Sequence, residues 1–98
     1  MLDEACADRV LVVGVAGRRV AVPLEHAREV IRARTITRVP GAPPWVIGLL
    51  NVRGAVLPVG DLRVLHGRAR TAVREGLVVL VEHGGRLAGL RVAEIVGV

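Results

Sequence analysis

The apolar residues of this chain come in short runs, each cut by glycine, proline or a charged turn, and that pattern favours many short strands over a few long helices. Arg9 to Val15 is one such run, followed by Ala16-Gly17-Arg18 and a second run from Arg19 to Val22, which together predict a hairpin. Three prolines between Pro40 and Pro44 exclude regular structure there and predict a loop. Beyond it, Trp45 to Val52 and Ala55 to Val59 flank Arg53-Gly54, a hairpin with a two-residue turn. Pro58 lacks a ladder donor, which places the returning strand at an edge or near its end. Leu77 to Val81 and Arg86 to Val92, separated by His83-Gly84-Gly85, predict a third hairpin, and an apolar segment, Ala93 to Val98, follows it.

Between the first two hairpins, Pro23 precedes L-E-H-A-R-E-V-I, in which Leu24, Ala27 and Ile31 fall at helical spacing. That spacing predicts one short helix near 23–29, with proline at its first position and a strand after it. Asp61 is placed to cap a short segment from Leu62 to His66, and the polar, basic stretch 67–76 reads as a connecting loop. At 98 residues there is room for a single domain that buries roughly 60–65% of its unfolded surface. Apolar residues make up 52% of the chain and aromatics only 1%, so the core must be aliphatic, with Trp45 as its one large ring. The fold class expected is all-β, with residues 1–8 as a tail before a domain at 9–98.

The composition removes several kinds of chemistry. There is no serine, so a Ser-based triad or G-x-S-x-G elbow is impossible, and without lysine there is no Walker loop. His26, His66 and His83 show no metal-ligand spacing to one another or to Cys6, and no cofactor motif occurs. Asp61 and Glu82 read as solvated turn acids. The expectation is a protein that is not an enzyme and that holds neither cofactor nor metal.

The net charge of +5 raises an alternative function, a small basic β-barrel that binds nucleic acid. Against it, the fourteen cations, all arginine, are scattered among nine acids, and the chain has neither Phe nor Tyr on which bases could stack. The densest run, Arg28, Arg32, Arg34 and Arg38, reads as a solvated face. No apolar run approaches the ~18 residues of a membrane span, and the start Met1-Leu2-Asp3-Glu4 is unlike the basic opening of a signal peptide. These features predict a cytoplasmic protein with no direct membrane insertion. Asn51 and Arg53 stand two apart, where a strand would project both from one face. Glu29 and Arg53 either pair in space or stand as independent surface charges; their residue types leave both readings open.

The segments L-V-V-G-V-A-G-R-R-V-A-V-P (11–23), R-E-V-I (28–31), I-T-R-V-P-G-A-P-P-W-V-I-G-L-L-N-V-R-G (36–54), A-V-L-P-V-G-D-L-R (55–63) and V-V-L-V-E-H-G-G-R-L-A-G-L-R-V-A-E-I-V (78–96) together resemble the CheW family. These are coupling proteins that join bacterial chemoreceptors to the histidine kinase CheA. The resemblance implies two small linked barrel-like β subdomains. It also implies an adaptor whose partners are the regulatory domain of a CheA-like kinase and the cytoplasmic tip of a chemoreceptor. Glu29, Gly48, Asn51, Arg53 and Gly54 are the partner-binding residues it suggests. The family domain continues past the position of Val98, so the second subdomain is expected to be incomplete and its open strand edges to invite a second copy. Light scattering is expected to show association, or thermal melting a low-stability chain; a monodisperse monomer with a sharp cooperative melt would contradict this.

Overall fold

The computed structural model describes residues 9–65, 67 and 76–98. The expected tail 1–8, Cys6, His66 and most of the basic loop at 67–76 lie outside the described residues. Among the described residues eight strands run in chain order as β1 (Val10–Val15), β2 (Arg18–Pro23), β3 (Ala27–Ala33), β4 (Val46–Val52), β5 (Ala55–Asp61), β6 (Gly76–His83), β7 (Arg86–Val92) and β8 (Glu94–Gly97). A short helix, α1 (Leu62–Leu65), follows β5. The predicted hairpins β1–β2, β4–β5 and β6–β7 are all present. Their turns, Ala16-Gly17, Arg53-Gly54 and Gly84-Gly85, hold both central residues at positive φ, the geometry whose twist matches that of the flanking strands.

The strands form a five-stranded sheet, β3-β6-β7-β5-β4, and a three-stranded sheet, β2-β1-β8. The larger sheet closes on itself. After β3 the chain turns back so that the Thr37 N–H donates to the Leu49 carbonyl (2.8 Å) and the Leu49 N–H to the Thr37 carbonyl (2.7 Å). The barrel so made is filled by aliphatic side chains, among them Ala33, Ile36, Ile47, Leu50, Leu57, Val59, Val78 and Leu80. The three-stranded sheet lies against the outside of β6 and β7, where Leu11, Val13, Val15 and Val22 pack with Val79 and Val92. Strand β6 therefore serves both cores: Val78 and Leu80 face into the barrel, Leu77, Val79 and Val81 face the small sheet. That double burial explains an apolar run without alternation. The two sheets correspond to the two expected subdomains. In the smaller one β2 and β8 form the edges, with Ile95 and Val96 exposed.

The short helix expected near 23–29 is not there. A single turn, closed by the His26 N–H donating to the Pro23 carbonyl (3.0 Å), leads directly into β3. The helical spacing misleads because its members serve different cores: Leu24 and Ala27 pack under the small sheet, whereas Ile31 packs against the barrel interior. Pairing with β6 overrides the local propensity. The short helix instead follows Asp61, whose Oδ1 accepts from the Arg63 N–H (2.9 Å), as its capping position requires. Asp61 is 1% exposed, so it is a buried cap rather than a solvated turn acid.

The closure of the barrel depends on a side chain being absent at Gly48. A Cβ there would lie 2.1 Å from the Thr37 carbonyl oxygen and 2.7 Å from its carbon, backbone atoms that cannot move without breaking the bridge. At Gly14 the corresponding obstacle is the flexible Glu94 side chain. Gly48→Ala is expected to lower unfolding stability by about 1–3 kcal/mol in urea denaturation, and Gly14→Ala by less; equal losses would contradict the closure.

Candidate functional site

A groove of about 400 Å³ opens at one end of the barrel. Its apolar wall comes from Val52, Ala55, Leu57, Leu80 and Leu87, and two ion pairs line it, Glu29 with Arg53 and Arg28 with Glu82. An aliphatic wall flanked by fixed charges suits contact with another molecule.

The position of Glu29 follows from a β-bulge. The register of β3 against β6 slips between Ala27 and Glu29, so Ala27 packs under the small sheet while Ile31 and Ala33 pack in the barrel. Glu29, two residues before Ile31, falls on the barrel side at its open end. Across the mouth, Arg53 occupies the first central position of the β4–β5 turn at φ 50°, which lifts it off the face a strand residue would share with Asn51. The two side chains meet. Arg53 Nη2 donates to Glu29 Oε1 and Nη1 lies 3.4 Å from Oε2, a forked contact that sets the plane of the guanidinium. The hydrogen bond and the charge of Glu29 hold the Arg53 pKa above its already high ordinary value, so it is cationic at any physiological pH.

Asn51 turns back on its own hairpin: its Oδ1 accepts from the Gly54 N–H (3.0 Å), bracing the turn that carries Arg53. Gly54, at φ 88°, supplies the second left-handed position of that turn. Of the five residues that the resemblance suggests, Glu29 and Arg53 line the groove, while Asn51 and Gly54 shape the turn that carries Arg53. Gly48 does neither; it is buried beneath the Thr37 bridge toward the base of the hairpin. Trp45 also belongs to that base, its ring lying over Gly60 and its carbonyl accepting from the Asp61 N–H (2.6 Å).

The second ion pair was not legible in the sequence. Arg28 looked like part of a basic run, yet it pairs with Glu82, brought beside it by the β3–β6 ladder. Arg32, Arg34 and Arg38 are exposed, as a solvated face requires. Leu87, across the β6–β7 hairpin from Glu82, was likewise read only as strand. Their sole signal was register, which a single sequence does not print.

The CheW-like domain family matches residues 9–98. The chain belongs to that family. It is 37% identical over 84 residues to protein PilI of Pseudomonas aeruginosa, a match covering 85% of this chain and 47% of PilI. Against FrzA of Myxococcus xanthus the identity is 40% over 85 residues, covering 85% of this chain and 52% of FrzA. The crystal structure of the scaffolding protein TtCheW from Thermoanaerobacter tengcongensis superposes with a TM-score of 0.74 at 27% identity, over 91% of this chain and 60% of that one. This CheW-like chain spans about half the length of the curated relatives it matches. Among its described residues no helix is long and apolar enough to cross a membrane.

If Asn51 braces the turn, Asn51→Ala should cost about 0.5 kcal/mol, the low end for a neutral hydrogen bond because this one is exposed to water. Asn51→Asp, which keeps the acceptor, should cost less. Urea midpoints for the two variants check this, and a larger loss for Asp than for Ala would contradict it.

Proposed function

We propose that this CheW-like chain is a non-enzymatic cytoplasmic adaptor that couples chemoreceptors to a CheA-type histidine kinase in chemotaxis-like signalling. The observation that carries the reading is the forked Glu29–Arg53 pair at the mouth of an apolar groove. An exposed ion pair of this kind adds little stability. Its physical effect is to aim a guanidinium, whose remaining N–H donors can then meet a partner's carbonyl or carboxylate while the groove takes an apolar side chain. Glu29, Asn51, Arg53 and Gly54 form the contact surface, and Gly48 supports it by holding β4 in place. The open edges of the small sheet, β2 and β8, offer a second contact to a partner or to another copy. Binding kinase and receptor together raises the local concentration of one near the other and biases the kinase conformation.

The nucleic-acid alternative gains nothing from the placement of Arg28 and Arg53, since both already face glutamates. Arg53→Ala should retain the wild-type melting temperature and lose at least half of the kinase or receptor captured in a pull-down. Capture equal to wild type by the folded variant would overturn the assignment of the site.

A further inference from the structure

We propose that His26 and His83 form a binding site for one divalent ion of the Zn²⁺, Ni²⁺ or Cu²⁺ kind, next to the barrel mouth and independent of the coupling role. The sequence suggests no such site because the two histidines are far apart along the chain. The β3–β6 ladder brings them together: Ala27 pairs with Val81, and the Glu82 N–H donates to the His26 carbonyl (2.8 Å). Their ring centres are 5.1 Å apart with the planes at 62°. Two imidazoles bound to one tetrahedral ion at ~2.0–2.1 Å from each nitrogen have their ring centres roughly 5 Å apart, which is the spacing of these two rings.

The hydrogen bonding of His26 also fits. Its Nδ1 lies 3.1 Å from the Glu82 carbonyl, which can only accept, so in the neutral ring Nδ1 carries the proton and the Nε2 lone pair is left for a ligand. A metal-bound histidine characteristically donates its second ring N–H to a carbonyl or carboxylate, which fixes the ring. Glu25 Oε1 lies 3.7 Å from that Nε2, where it can accept from metal-bound water and offset part of the ion's charge. Among the described residues no three His, Cys, Asp or Glu side chains converge as a ligand set, so the protein supplies two nitrogens and water completes the shell. A two-imidazole site suits late transition ions and not Mg²⁺ or Ca²⁺, which take oxygen ligands. The site is accessible, with His83 exposed and the His26 side chain 36% exposed. An ion there would tie the turn before β3 to the end of β6. Glu82 would link it to the groove, because its carbonyl orients His26 and its carboxylate pairs with Arg28.

The test is titration of the full chain with ZnCl₂ by calorimetry, and with substoichiometric CuCl₂ by NMR of the histidine rings. One zinc per chain is expected, with affinity at least ~10-fold weaker in His26→Ala and in His83→Ala and unchanged in His66→Ala and Cys6→Ala. In the unmutated protein, copper should broaden the His26 and His83 ring signals first, a readout independent of whether a variant folds. No zinc binding at millimolar concentration, binding that survives His83→Ala, binding lost with His66 or Cys6, or first broadening at His66 would each overturn the proposal.

Discussion

Strand β6 is buried on both faces, and the rest of the molecule is arranged around that fact. Its inward residues, Val78 and Leu80, help fill the barrel, while Val79 on the opposite face anchors the small sheet. A chain with one aromatic residue has no large ring to spread over two cores, so a single aliphatic strand shared between them is an economical solution. The same strand pairs with β3, and through that ladder it brings Arg28 to Glu82 and His26 to His83. Four residues of the barrel mouth, Arg28, Glu29, Leu80 and Glu82, come from these two paired strands.

Two local departures from regular strand geometry then give the mouth its polar features. The bulge between Ala27 and Glu29 moves a carboxylate from the small-sheet side to the barrel side. The left-handed Arg53 and Gly54 lift a guanidinium over the same opening, and Asn51 holds that turn from outside. Neither charge is buried, so the pair can be kept for orientation at little cost in desolvation. Gly48 contributes at a distance, by letting the backbone at Thr37 come close enough to close the barrel.

What could be read in the sequence was what local chemistry decides. Each of the three hairpin turns carries a glycine at its second central position, the Pro40–Pro44 loop is encoded by missing donors, and the helix after Asp61 by its cap. Four features depended on pairing register and were misread or left open. The Leu24, Ala27 and Ile31 spacing looked helical because nothing local shows that its members belong to different cores. Glu29 and Arg53 could have been a pair or two separate charges until the bulge and the turn were seen. Arg28 with Glu82, and His26 with His83, are meetings made wholly by the β3–β6 ladder. The family resemblance supplied what periodicity could not, the division of the strands into two linked sheets.

The central claim is that the barrel mouth is where this CheW-like chain meets its partner. It is tested most directly by recording backbone amide shifts of the labelled chain as an unlabelled CheA-type regulatory domain is added. Shifts and broadening centred on Arg28, Glu29, Val52 to Ala55 and Glu82 to Leu87, with the outer face of β1 and β2 unmoved, are what this account predicts. Perturbations centred on the small sheet, with the mouth silent at saturation, would contradict it.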